Sequence, residues 1–198
     1  MKRSILGLVL SGGKGRRLGK DKALLRFREG SSQLDWALSL LDSFCDRLAV
    51  SCREDQLPNR KNALGARLLT DDPELSGPIA GVLAGLRFAN GGPVLAIACD
   101  MPLLDASLIM RLATQRDSSR LATCYIASDG KPEPMCAIYE NSCLAVLEER
   151  VREGRMSLRN FLEESEVAKI AMDEPQMLAS ANTAQDVEAI RNRMRLHD

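Results

Sequence analysis

The chain has 198 residues, 45% of them apolar and 27% charged, with 27 basic residues balanced by 27 acidic ones and only 4% aromatic. That length and balance suit one domain, residues 1–198, with a substantial core, and argue against a nucleic-acid binder, which needs excess basicity and stacking surface. The six cysteines form no C-x-x-C pair and no apolar run approaches the roughly twenty residues that cross a bilayer, so the expectation is a reduced, cytoplasmic protein with no membrane partner.

The opening MKRSILGLVLSGG imitates a secretory signal, but its apolar stretch is six residues long and no small-residue cleavage site follows. It reads instead as a buried first strand, Ile5 to Leu10. Directly after it comes LSGGKGRRLGKDK, Leu10 to Lys22. Gly12, Gly13 and Gly15 let backbone N–H groups approach an anion. Five cations (Lys14, Arg16, Arg17, Lys20, Lys22) against one carboxylate (Asp21) leave the loop at +4 in a chain of zero net charge. Such a loop can enclose a polyphosphate; the plainer alternative is a basic surface turn. Five residues separate Gly13 from Gly19 and Lys20 is followed by Asp21, so it is no Walker A loop. The pattern G-x-G-x-x-x-G is also one residue too long for a dinucleotide fingerprint.

Helical spacing follows at Gln33 to Phe44, then Val/Leu/Ile-rich runs at Arg47 to Ser51 and Arg67 to Thr70, a helix at Pro78 to Phe88, a strand at Pro93 to Ala98, and a helix at Leu108 to Gln115 after a Ser107 cap. Strands at Arg120 to Ile126 and Met135 to Tyr139 flank Asp129-Gly130, which predicts a tight turn and a local antiparallel excursion. Ser142 to Arg152 reads as a helix stopped by Gly154, Ser157 caps a short helix, and Asn182-Thr183 opens the last one, ending near Arg195. The alternation predicts an α/β fold of three layers around a mostly parallel central sheet.

In such sheets ligands settle beyond the carboxyl ends of the strands. Four places there carry chemistry: the glycine loop, Asp71 and Asp72 after Thr70, Asp100 in ACDMP, and Asn182. A lone Asp100 facing bound phosphates suffices for Mg²⁺, which takes one or two carboxylates and completes its shell with phosphate oxygens; the alternative is a turn cap. GPIAG, Gly77 to Gly81, starts a helix with proline between glycines and reads as the wall of a nucleotide pocket. Asp71 either accepts from a ribose hydroxyl or base or belongs to an Asp-Asp-Pro turn. The only histidine is His197, which argues against imidazole chemistry and for phosphoryl or nucleotidyl transfer, where alignment and charge neutralisation dominate.

These motifs resemble those of the bacterial molybdenum cofactor guanylyltransferase family. Its L-A-G-G-x-S-x-R-M-G-x-D-K is similar to Leu10 to Lys22, its G-P-L-A-G to Gly77 to Gly81, its C-D-x-P to Cys99 to Pro102, and its N-T-P-E-D segment to Asn182 to Asp186. The resemblance implies a Rossmann-like nucleotidyltransferase fold and transfer of GMP from GTP to molybdopterin. It implies backbone contacts from Leu10, Ser11, Gly12 and Gly13, phosphate contacts from Arg17 and Lys22, guanosine contact by Asp71, Mg²⁺ on Asp100, and Asn182 on the pterin side. Lys22, Arg17 and Asp100 would be the catalytic residues, and molybdenum-insertion or molybdoenzyme partners would be met transiently. Ser11, Gly15, Leu18 and Ser180 depart from the family pattern. Competing expectations are a nucleotidyltransferase using CTP or a sugar-phosphate acceptor, and a catalytically silent nucleotide sensor.

Overall fold

Seven short strands, most of them buried on both faces, assemble into one sheet in the order Arg67–Thr70, Arg47–Cys52, Leu6–Leu10, Val94–Ala98, Pro132–Tyr139, Ala122–Ile126 and Ala168–Ile170. The computed structural model describes residues 5–13, 18–60, 63 and 65–196. The strands are β1 (Leu6–Leu10), β2 (Arg47–Cys52), β3 (Arg67–Thr70), β4 (Val94–Ala98), β5 (Ala122–Ile126), β6 (Pro132–Tyr139) and β7 (Ala168–Ile170). β1 pairs in parallel with β2 and β4, β2 with β3, and β5 with β7, whereas β6 runs antiparallel to both β4 and β5. The excursion expected at Asp129-Gly130 is therefore present. Gly130 has φ +75°, the left-handed conformation that a tight β-turn asks of glycine, and Ala127 N–H donates to Lys131 O at 2.8 Å across it.

Helices cover both faces. On one lie α1 (Gln33–Asp42) and α3 (Ala106–Thr114), which pack with Val9, Leu95 and Ile97. On the other lie α2 (Ile79–Ala89), α4 (Cys143–Arg152) and α5 (Leu158–Glu164), against Leu6, Leu8 and Tyr139. Each fully buried Leu or Val contributes about 1.5–3 kcal/mol, so alternate residues of a single strand serve two cores. The last helix, α6 (Ala184–Arg195), belongs to neither layer: Val187 and Ile190 pack at the rim against Leu103 and against Leu18 of the glycine loop and Leu25 and Phe27 of the segment after it.

Capping chemistry sets the helix starts. Ser32 and Asp35 form a reciprocal box at α1, as do Thr183 and Asp186 at α6, and Ser157 caps α5 as expected. The cap of α3 is Asp105, not Ser107: its carboxylate accepts the Leu108 N–H at 3.0 Å and the Ser107 hydroxyl at 2.7 Å. The carboxylate satisfies the orphan N–H, and the serine is drawn into the first helical turn. β7 has no counterpart among the expected strands. No described helix is long and apolar enough to cross a membrane.

Candidate functional site

Strand register builds the site. Leu10 lies level with Ser51 of β2 and Ala98 of β4, and Cys52 with Thr70 of β3. The residues that follow each strand therefore emerge along one edge of the sheet. Ser11 to Gly13, Arg53, Asp71 and Asp100 come together there, around a cleft of about 970 Å³. Leu10 and Lys22 also line it. Asn182 joins at its margin through Lys22. Arg17 lies outside the described residues, as do Lys14, Gly15, Arg16 and His197.

Lys22 sits in a short 3-10 turn, Lys22–Leu24, capped by Asp21, whose carboxylate accepts from Ala23 N–H at 3.1 Å. Its ammonium donates to Asp100 Oδ2 at 2.7 Å and to Asn182 Oδ1 at 2.5 Å. The Lys22 and Asp100 side chains are each 16% exposed, so their attraction is less screened than that of a surface pair. Asp100 Oδ1 takes no hydrogen bond from the described residues, and its carboxylate does not cap the turn that follows. Its backbone carbonyl accepts the Ala181 N–H at 2.8 Å, which ties the α6 approach to the end of β4. Asn182 is fixed in turn, its N–H donating to Asp186 Oδ2 at 3.0 Å. The Asn182 N–H also reaches the Ser180 carbonyl at 3.1 Å, so Ser180 contributes backbone to this turn.

The two aspartates after β3 separate cleanly. Asp71 turns inward and accepts a hydrogen bond from the buried Ser51 hydroxyl, while Asp72 is exposed and accepts the Glu74 N–H at 3.0 Å as a turn cap. Burial pushes the Asp71 carboxyl above the usual carboxylate range; the Ser51 hydrogen bond and the Arg53 charge act the other way. Asp71 lies so close to Gly12 that a Cβ there would collide with its carboxylate. Beside it α2 starts with no side-chain cap, and Gly77, Pro78 and Gly81 line the cleft, where the positive end of the helix favours an anion.

Three residues of this region carried no motif in the sequence. Arg53, Gln56 and Arg60 come from Arg53 and the 3-10 segment Glu54–Arg60 that follow β2, and all three donate to the glycine loop or its ends. Their only signal was a charged stretch after a strand. Cys99, beside Asp100, is buried, and burial together with the Asp100 charge pushes its thiol up to about 12, which removes it as a nucleophile at neutral pH.

The arrangement brings backbone, one shielded ammonium and the Asp100 carboxylate to a single cleft, and the fold that carries it recurs in a solved structure. A crystal structure of molybdopterin-guanine dinucleotide biosynthesis protein A from Archaeoglobus fulgidus superposes with a TM-score of 0.79 at 24% identity, covering 96% of this chain and 99% of that one. The probable molybdenum cofactor guanylyltransferase of Mycobacterium avium is 31% identical over 194 residues, 94% of each chain. The molybdenum cofactor biosynthesis bifunctional protein of Synechocystis is 31% identical over 92% of this chain, which spans about half (52%) of that relative's length. Residues 7–170 match the MobA-like NTP transferase domain, so the whole sheet except Leu6, together with Lys22, Asp71 and Asp100, falls within it, and the chain belongs to the MobA-like NTP transferase family.

Proposed function

We propose that this chain is a molybdenum cofactor guanylyltransferase. It transfers GMP from GTP to the terminal phosphate of molybdopterin, releasing pyrophosphate and forming the guanine dinucleotide cofactor. The observation that carries the reading is the Lys22 ammonium held between Asp100 and Asn182 at the mouth of the glycine loop.

The acceptor is a phosphate monoester whose second pKa near 6 leaves it largely dianionic at neutral pH, so no protein base is required. An acceptor oxygen forms a new bond to the α-phosphorus of GTP, the bond from that phosphorus to the β-bridging oxygen breaks, and pyrophosphate leaves with the electron pair. Lys22 balances the negative charge of the phosphates and, through Asn182, links the donor side of the cleft to the acceptor side. Leu10 to Gly13 receive the nucleotide through backbone, Arg17 adds a phosphate contact, and Asp71 holds the guanosine.

The donor set fits Mg²⁺ arriving with the nucleotide. Among the described residues no group of three or more potential ligands can hold a metal alone, yet Asp100 keeps a carboxylate oxygen that takes no hydrogen bond from them, which one cation bridged to phosphate oxygens would use. Bound there, Mg²⁺ would supply charge neutralisation for the α-phosphate and the leaving pyrophosphate. The free cysteines, Cys45 and five buried thiols, support a reducing cytoplasmic setting. The bifunctional make-up of the Synechocystis relative supports contact with another component of molybdenum cofactor biosynthesis, and transient contact with proteins that insert or receive the cofactor is part of the proposal.

The test supplies molybdopterin, Mg²⁺ and α-labelled GTP to the full chain. Label is expected in a dinucleotide product; label transferred from CTP instead, or to a sugar phosphate, would replace this reading.

A further inference from the structure

The glycine loop is braced from beneath by the segment after β2. Arg60 is wholly buried, its side chain 0% exposed, and its guanidinium is committed at three points. Nη1 donates to Asp21 Oδ2 and Nη2 to Asp21 Oδ1, both at 2.9 Å, a two-pronged pairing that fits the planar fork of arginine and not the point charge of lysine. Nε donates to Ser11 Oγ at 2.9 Å. Ser11 is the first residue after β1 and Asp21 immediately precedes Lys22, so one side chain joins the two ends of the loop.

Two neighbours complete the brace. Arg53 Nη1 donates to the Gly12 carbonyl, and Gln56 Nε2 donates to the Gly13 carbonyl at 3.2 Å. The Gln56 amide is itself oriented, since its Oε1 accepts the Arg53 N–H at 3.2 Å. With both carbonyls engaged by donors, the negative ends of these peptide dipoles are balanced within the protein, which suits the loop to an anion. The charged fork matters twice over, because a guanidinium removed from water is tolerated only while it is fully paired.

We propose that Arg60 is a positioning residue for the transfer reaction: by fastening Ser11 to Asp21 it closes the phosphate-binding loop and sets Lys22 opposite Asp100. It touches neither substrate in this role. The proposal rests on the reading of the cleft as a GTP site.

The experiment uses the full chain with Mg²⁺ and measures GTP affinity by calorimetry, kcat and KM for each substrate, and folding by circular dichroism, for wild type, Arg60→Lys, Arg60→Ala and Asp21→Asn. Arg60→Lys is expected to weaken GTP binding by roughly ten- to a hundredfold, the scale of a small misplacement of binding groups, with the KM for molybdopterin unchanged. Asp21→Asn shifts GTP affinity in the same direction by less. Millimolar guanidinium partly restores GTP binding to Arg60→Ala, a rescue that a loss of general stability would not produce. A folded Arg60→Lys with wild-type GTP affinity and kcat overturns the proposal. If the Arg60 variants do not fold, Asp21→Asn decides, and unchanged GTP affinity there overturns it equally. Wild-type protein that fails to bind GTP overturns the reading of the cleft and the brace together, whereas wild-type binding with unaltered variants removes the brace alone.

Discussion

The two halves of the sheet use charge differently. Along the edge formed by β1 to β4, charged groups are withdrawn from water and bonded to partners far away in sequence: Lys22 to Asp100 and Asn182, Arg60 to Asp21 and Ser11. In the half formed by β5 to β7, most ion pairs lie in solvent, as with Arg120 and Glu166, whose side chains are 44% and 85% exposed. A screened surface pair contributes between nothing and about 1 kcal/mol, while a shielded charge that loses its partner costs several times that. Three buried charges in the second half are exceptions: Glu140, paired with Arg116 through two bonds of 2.6 and 2.8 Å between the end of α3 and the end of β6, Arg150, paired with Glu164 at 2.7 Å between α4 and α5, and Glu133, 3.6 Å from Arg159. The contrast teaches that around the cleft the shielded charges converge on the ends of one loop, whereas in the other half they tie neighbouring scaffold elements together.

The strongest challenge to that contrast is Asp100→Asn. Transfer of label from GTP is expected to fall by about 10³-fold, the upper range for loss of one electrostatic contact in a reacting site, with the folded spectrum retained. A nearly normal rate would erase the distinction between the halves.

A finer probe lies within the loop. Gly12→Ala drives a Cβ into the Asp71 carboxylate, whereas a Cβ at Gly13 meets nothing within 4 Å. The KM for GTP should rise about tenfold in the first variant, equivalent to about 1.4 kcal/mol, and little in the second. Equal effects would show that the Asp71 contact does not shape the pocket.

The Asp71 carboxyl offers a pH test. Its folded-state pKa lies above the unfolded value of about 3.9. Between the two values the folded chain holds more protons than the unfolded one, so this group lowers stability as pH rises. Wild type should therefore lose ground against Asp71→Asn in thermal melts as pH rises from the unfolded value through the folded one. A difference that stays constant across that range contradicts the assignment of a buried, strained charge. The smallest effect is expected in the second half: Arg120→Ala should change stability by about 0.5 kcal/mol or less and leave transfer unaltered.

Much of the framework was legible because it follows from local pattern. Apolar runs located six of the seven strands, and Asp129-Gly130 announced the reversal before β6. β7 escaped because Ala168–Ile170 is three residues long, too short for periodicity to register. Asp105 displaced Ser107 as a cap because both types suit the position and only the geometry chooses between them. The site divided along similar lines. Glycines, Lys22, Asp71 and Asp100 stand in contiguous motifs, and the resolution between Asp71 and Asp72 needed only the direction of two side chains. Arg60 was invisible because its partners lie 49 and 39 positions away and no spacing rule connects them. The meeting of Asn182 with Lys22 spans 160 positions and depends on α6 docking over the loop segment through Leu18, Leu25 and Phe27.

The Lys22 ammonium also governs how the cleft receives a ligand. Already satisfied by a carboxylate and an amide, it meets an arriving polyphosphate as an exchange of partners, with part of its attraction spent beforehand inside the protein. Nucleotide capture should accordingly respond less steeply to ionic strength than a bare lysine would dictate, and a cell's simple phosphates, individually weak competitors, find no unpaired cation waiting at this position.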